Sequence, residues 1–134
     1  MPKALAAIGA RFKGVLIEQR PALAVIDRYD VPDALIYLDP PYVPLSRSQK
    51  RRGEKLFHSY SHELTAEDHE QLLDRVLEAD AMVVISGYPT PLYTEKLQHW
   101  ARHEIDTHAD GALDRREVLW LNSAAVEARG GLFA

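Results

Sequence analysis

Apolar residues along this chain alternate between compact runs, which predict strands, and longer stretches with helical spacing. The compact runs are VLI at 15–17, ALIYL at 34–38, MVVIS at 82–86 and EVLWLN at 117–122. Helical spacing is found in the stretches 3–12, 21–29, 65–79 and 92–101. The order strand, helix, strand, long loop, helix, strand, helix, strand predicts an α/β fold with a mostly parallel sheet, whose later strands include an antiparallel one at an edge.

Local signals support these boundaries. Gly14 follows the first helical stretch, and Pro21 suits a first helical turn, where its missing N–H costs nothing. Thr65 with Asp68 three residues later predicts an N-cap close to a capping box. The run 34–38 is apolar on both faces, which is typical of a strand buried in a parallel sheet. Together the segments 15–17, 21–29 and 34–38 predict a β–α–β unit.

Composition narrows the class of protein. The chain has 134 residues, of which 46% are hydrophobic and 27% charged, so we expect a single domain over residues 1–134. It has no cysteine, which excludes disulfides and thiolate metal sites and is compatible with a cytoplasmic protein. No apolar run is long enough to predict a membrane span. The formal net charge of −4 means that nucleic-acid binding would need a local basic patch.

The most informative segment is LIYLDPPYV, in which the second strand ends in an acid and two prolines. Asp before Pro is also a common turn initiator, so a purely structural role is the simpler interpretation. However, a residue before proline is held extended, so Asp39 should project from the sheet edge. Pro41 holds Pro40 extended in the same way and fixes the direction of the Pro40 carbonyl. A carboxylate and a carbonyl beside an aromatic ring would suit a planar base with an exocyclic amine.

At this point the chain resembles a known family. Asp-Pro-Pro-Tyr after an apolar strand is the catalytic motif of amino-group methyltransferases, and such a tetrapeptide arises by chance with a probability on the order of 10⁻³ in a chain of this length. Further similarity extends in order through GVLIEQRPALAVIDRYDVPDALIYLDPPYV, SHELTAEDHEQLL, VVISGYPTPLY and EVLWLN. Over nearly its whole length the chain is similar to the carboxyl-terminal half of phage- and bacterium-type Dam adenine methyltransferases. The resemblance implies part of a Rossmann-like sheet that lacks the first two family strands.

The resemblance also implies a mechanism. Asp39 and the Pro40 carbonyl, in a frame stiffened by Pro41, would accept hydrogen bonds from the amino group of a flipped adenine. Tyr42 would stack on the base. S-adenosylmethionine would supply the methyl group, with Asp39 and Tyr37 beside it. Tyr42 and Tyr37 also have a simpler interpretation as core residues, which for Tyr37, inside a strand, is the stronger one.

The loop after the motif contains five basic residues and one acid. In the family this loop lies beside double-stranded DNA, which implies salt-dependent phosphate contacts, although an ordinary solvated loop fits the pattern equally well. Tyr88 follows the strand that ends at Gly87, and it would either line the DNA-binding pocket or support a turn. The residues assigned to DNA binding are Arg47, Lys50, Arg51, Arg52, Lys55 and Tyr88.

Six histidines raise the possibility of a metal site, but no HExxH-type motif accompanies them, so none is predicted. His99 and His103 have the spacing of one helical face. Surface positions are the default expectation for all six, which are His58, His62, His69, His99, His103 and His108. Trp120, inside an apolar strand, is predicted to lie in the core.

One family feature is missing from the sequence. The cofactor loop of Dam-like enzymes contains Gly-x-Gly, which occurs nowhere in these 134 residues, and the acid often found near Pro21 is absent as well. We therefore expect the chain to keep the base-handling half of a methyltransferase and to bind S-adenosylmethionine poorly by itself. Without the first two family strands, 15–17 would either hang loose or pair with 35–38, and an apolar sheet edge would be exposed.

Three functions follow. The first is a DNA adenine N6-methyltransferase in a truncated or split form, completed by a companion chain with the Gly-rich half or assembled as a homodimer through the sheet edge. A second is a non-catalytic remnant that acts as a DNA-binding or dimeric module. The third keeps the chemistry but acts on RNA or on a protein glutamine. Asp39 favours DNA over the glutamine because the relatives that modify protein usually carry Asn there.

Overall fold

A computed structural model describes residues 3–41, 64–108 and 114–132 of the chain. In chain order its elements are α1 (Lys3–Arg11), α2 (Ala22–Tyr29), β1 (Leu35–Leu38), α3 (Ala66–Leu77), β2 (Met82–Gly87), α4 (Pro91–Lys96), β3 (Ala101–His108), β4 (Asp114–Leu121) and α5 (Ser123–Leu132). The α/β class predicted from the sequence is therefore confirmed.

The four strands form one mixed sheet in the order β1-β2-β4-β3. β1 and β2 run parallel, with Leu38 opposite Ile85. β4 is antiparallel to both β2 and β3, so β1, β2 and β3 run in one direction and β4 runs in the other. The predicted antiparallel strand near the C-terminus is therefore confirmed. The parallel pair is the part of the sheet that brings the ends of two successive strands to the same edge.

The core lies on one face of the sheet. Val83 and Ile85 of β2 and Trp120 of β4 are at most 1% exposed. Three helices pack on this face through residues that belong to the same buried cluster, namely Ile26 of α2, Leu72, Leu73 and Val76 of α3, and Tyr93 of α4. Helix α5 also contacts β2. Trp120 is thus in the core, as predicted.

Helix α3 begins at the capping box that the sequence predicts. The Thr65 hydroxyl accepts a hydrogen bond from the Asp68 N–H at 3.1 Å, and the Asp68 carboxylate accepts one from the Thr65 N–H at 2.8 Å. The bond from the Thr65 N–H, together with one that the Thr65 hydroxyl donates to the same carboxylate oxygen at 2.7 Å, stabilises the charged carboxylate and lowers the pKa of Asp68. Two otherwise unpaired N–H groups at the helix start are thereby satisfied.

Polar side chains connect the helices to the sheet. Asp30, just after α2, accepts hydrogen bonds from Arg75 of α3 at 2.8 Å and from the Ala81 N–H at 2.9 Å. The bond from Arg75 is the main reason that the pKa of Asp30 is lowered. Buried Asn122 accepts from the N–H groups of Val83 and Ala125, both at 3.0 Å, and so connects β2 to the start of α5.

The strand predicted at 15–17 is not formed. These residues belong to no helix or strand and pair with none of the described strands, and Val15, Leu16 and Ile17 are 55%, 66% and 83% exposed. Of the two outcomes expected for this segment, it hangs loose and does not pair with 35–38. The predicted β–α–β unit is therefore absent from the described residues. The first helix does end before Gly14, which adopts a positive φ of 91°.

Two further elements differ from the sequence prediction. The helix predicted over 92–101 ends at Lys96, and residues from Ala101 onward form β3. β3 is rich in charged residues, so its sequence lacks an apolar run, and α5 has only a weak amphipathic pattern. Within the described residues, no helix is both long and apolar enough to cross a membrane.

Candidate functional site

Parallel pairing of β1 and β2 brings Asp39 and the Gly87–Tyr88 step to the same sheet edge. Leu38 is opposite Ile85, so Asp39 follows one step beyond the last paired residue, beside Ser86. Asp39 is exposed, and no ion pair to it is found among the described residues. The carboxylate is therefore exposed, and no cation of the described residues neutralises it.

Ser86 holds the Asp39 side chain. Its hydroxyl lies 3.0 Å from Asp39 Oδ1 and 3.3 Å from the Leu38 carbonyl oxygen, and both oxygens can accept its proton. Sequence reasoning missed Ser86, although the residue stands at the end of a predicted strand. Only the register between the two strands shows that a hydroxyl meets the carboxylate.

The two prolines continue the chain from Asp39 at the edge. Pro40 is half-buried and Pro41 is exposed. Tyr42, the proposed stacking residue, lies outside the described residues, and so do Arg47, Lys50, Arg51, Arg52 and Lys55 of the basic loop. Tyr88 is half-buried between β2 and α4, at the same edge as Asp39. Its assignment to DNA binding stays a prediction.

An open apolar groove of about 210 Å³ lies between α2 and β1. Its lining includes Tyr29 and Tyr37 and no charged residue. Tyr37 is 60% exposed, so its interpretation as a core residue is wrong. S-adenosylmethionine has a charged methionine end, which this uncharged lining does not match. The described lining of the groove therefore has no charged side chain that would pair with that end of the cofactor.

A buried aromatic cluster lies beneath the sheet edge at which β1 and β2 end. His69 of α3 is 1% exposed, and its Nδ1 lies 2.9 Å from the Tyr93 hydroxyl. The Tyr93 ring in turn packs on Trp120, with ring centroids 5.4 Å apart. Burial lowers the pKa of His69 and raises that of Tyr93 to about 12, so both are neutral at pH 7.

The default expectation of surface histidines is thus wrong for His69. His99 follows α4 and His103 lies in β3, so the two do not share a helical face. The His103 ring accepts a hydrogen bond from Arg129 at 3.2 Å. No group of three potential metal ligands is found in the described part of the chain.

Apolar side chains are exposed on β1 and on residues 15–17. Leu35 in β1 is 64% exposed, although the sequence predicts a strand buried on both faces. Residues 15–17 are held near the groove because Glu18 accepts hydrogen bonds from Arg28 at 3.0 Å and from the Tyr29 hydroxyl at 3.3 Å. Exposed apolar side chains therefore lie on β1, which pairs only with β2 among the described strands.

Comparison with known proteins identifies one family. The family model described as D12 class N6 adenine-specific DNA methyltransferase matches residues 3–109, which include β1, Asp39 and Ser86. No curated protein matches the chain.

Proposed function

Because the chain belongs to the D12 class of N6 adenine-specific DNA methyltransferases, we propose that it provides the base-handling part of such an enzyme. The observation that supports this most directly is the exposed Asp39 carboxylate, which is held at the end of β1 by Ser86 and is free of any ion pair among the described residues. DNA is the substrate of the family. The roles of the individual residues are our proposal.

Asp39 would accept a hydrogen bond from the N6 amino group of an adenine turned out of the duplex. A charge-assisted hydrogen bond contributes about 1.5–3 kcal/mol, whereas alignment of reacting groups contributes about 7–11 kcal/mol. Asp39 therefore acts mainly by fixing the orientation of the amine, with help from the Pro40 carbonyl. Tyr42 would stack on the base, for about 1–3 kcal/mol, which offsets the cost of flipping.

S-adenosylmethionine supplies the methyl group in this family. The uncharged groove beside β1 and the absence of Gly-x-Gly from the sequence indicate that these 134 residues hold it incompletely. We propose that a glycine-rich segment from elsewhere, on a companion chain or a longer form of this one, completes the cofactor site. In that assembly the sheet would be part of a Rossmann-like methyltransferase sheet.

The free edge of β1 is the proposed place for that segment. β1 pairs only with β2 among the described strands, and its Leu35 and Tyr37 side chains are 64% and 60% exposed. An unpaired, apolar strand edge favours addition of another strand. Leu35→Lys with Tyr37→Lys should abolish assembly with the glycine-rich half, measured by sedimentation velocity, whereas Val126→Lys on α5 should not. Pairing of two copies without that half would instead indicate a homodimer.

Methyl transfer after reconstitution tests the function. The chain is mixed with the glycine-rich half of a family member, duplex DNA and S-adenosylmethionine labelled in its methyl group. We expect label to appear in N6-methyladenine only when both halves are present. Asp39→Ala should reduce transfer to background, and Asp39→Asn should retain part of it, because an amide oxygen still accepts the hydrogen bond.

Asp33→Ala is the matched control. Asp33 is an exposed acid in the turn before β1, so its removal changes the charge by the same amount near the same strand. Equal reconstitution by Asp39→Ala and the parent chain would show that the catalytic assignment is wrong. RNA and a glutamine-containing protein serve as alternative methyl acceptors in the same assay. Preferential transfer to either would show that DNA is not the preferred substrate.

A non-catalytic module is the second candidate, favoured by the exposed apolar surface and the missing Gly-x-Gly. It predicts DNA binding or dimerisation without cofactor binding. Methyl transfer in the reconstitution assay separates the two proposals. Micromolar binding of S-adenosylmethionine by the chain alone, measured by calorimetry, would also exclude the module.

A further inference from the structure

We propose that Ser86 is a positioning residue that holds Asp39 in the single rotamer competent to receive the adenine amine. The inference deepens the proposed function and rests on it for its catalytic meaning. The Ser86 hydroxyl lies within hydrogen-bond distance of both the Asp39 carboxylate and the backbone of β1.

A hydrogen bond from Ser86 fixes one of the two oxygens of the Asp39 carboxylate. Ser86 Oγ lies 3.0 Å from Asp39 Oδ1, within the range of a normal O–H···O hydrogen bond. A bond to a charged carboxylate is stronger than one to a neutral carbonyl, so the hydroxyl proton favours Asp39 over the Leu38 oxygen at 3.3 Å. Oδ2 has no hydrogen-bond partner among the described residues and is left to accept from a substrate.

The position of Ser86 makes this restraint rigid. Ser86 is the fifth residue of a six-residue strand and is half-buried, whereas Asp39 is exposed and follows the last residue of β1. An exposed Asp side chain otherwise exchanges between rotamers in solution. Through this hydrogen bond the paired strand β2 restrains the Asp39 side chain, which lies just beyond the end of β1.

The consequence for the reaction is specific. A carboxylate that samples several rotamers presents its oxygen to the amine only part of the time, and small misplacement of a reacting group costs up to roughly 100-fold in rate. Ser86→Ala should therefore lower the single-turnover rate constant of the reconstituted enzyme roughly 10- to 100-fold. The KM for DNA should change little, because the phosphate contacts and base stacking do not involve Ser86.

Two further variants separate positioning from direct contact with the substrate. Ser86→Thr keeps the hydroxyl and should restore most of the rate, whereas Ser123→Ala, which removes an exposed hydroxyl on α5, should have no effect. A Ser86→Thr variant as slow as Ser86→Ala, with a parent-like rate in Ser123→Ala, would overturn the proposal.

A measurement on the chain alone is independent of activity. Three-bond NMR couplings between the Asp39 backbone nitrogen and its side-chain carboxyl carbon report the χ1 rotamer. They should indicate one rotamer in the parent and in Ser86→Thr and an average over rotamers in Ser86→Ala. Unchanged couplings in Ser86→Ala would refute the positioning role. An inactive reconstituted parent with couplings that respond as expected would refute the proposed function and leave the positioning role standing.

Discussion

The N-terminal segment, residues 3–20, and the sheet core contain similar apolar runs, yet their side chains occupy opposite environments. VLI at 15–17 is 55–83% exposed, whereas Val83 and Ile85 in the similar run MVVIS are fully buried. The helices differ in the same way, because Leu5 and Ile8 of α1 are more than half exposed, whereas Leu72 and Leu73 of α3 are buried.

The difference shows that apolar patterning selects a local conformation but does not supply a packing partner. β2 is flanked by two strands and covered by helices, so its side chains leave water. The segment at 15–17 has no strand beside it in the described chain, and the neighbouring Glu18 bonds to Arg28 and Tyr29. This is the arrangement expected if another part of the enzyme covers that surface, in line with the partner proposed above.

The largest expected change in the free energy of unfolding comes from a substitution that leaves a cavity in the core. Leu73→Ala should lower the free energy of unfolding by about 2–5 kcal/mol, because Leu73 is fully buried and a cavity remains. Leu16→Ala, at 66% exposure, should change it by no more than about 0.5 kcal/mol. Urea denaturation of both variants measures the contrast. Similar losses would show that residues 15–17 are packed in solution.

A smaller effect is expected at the start of α3. Thr65→Ala removes the hydroxyl that accepts from the Asp68 N–H and should cost about 1 kcal/mol. Thr65→Ser keeps the hydroxyl and should stay near the parent value in the same denaturation experiment. A loss in Thr65→Ser equal to that in Thr65→Ala would assign the effect to the methyl group and not to the cap.

The buried His69 predicts that the stability of the fold depends on pH. The unfolded chain protonates this imidazole near its ordinary pKa of 6.5, while burial lowers the pKa in the folded state. Between the two values the unfolded state binds more protons, so stability is complete above pH 6.5 and declines as the pH falls below it. Unfolding of the parent and of His69→Phe at several pH values tests this. The variant should lose this part of the slope, and His103→Gln should keep it.

The smallest effect is expected where the N-terminal segment is most exposed. Ile17 is 83% exposed, so Ile17→Ser should alter the free energy of unfolding by less than about 0.5 kcal/mol. In the reconstituted assembly the same substitution should weaken association if the partner covers this surface. Unchanged affinity, measured by calorimetry, would restrict the interface to the edge of β1.

Several elements could be predicted because their signals are local. The capping box at Thr65, the continuous apolar run of β2 and the proline pair after Asp39 each depend on neighbours within a few residues. β3 could not be predicted in this way, since its sequence ARHEIDTH is mostly polar. It forms a strand because all eight of its residues pair in register with β4.

What the sequence determined by itself is the α/β class, the strand that ends in Asp39 and the family to which its motif belongs. The tertiary structure decided which apolar residues are buried, placed Ser86 against the carboxylate, and left Tyr37 and residues 15–17 in contact with solvent. The physical reason is range. Backbone preferences and caps act between near neighbours in the chain. Burial depends on distant parts of the chain, and the Ser86–Asp39 hydrogen bond joins residues 47 positions apart, so both form only once the strands have paired.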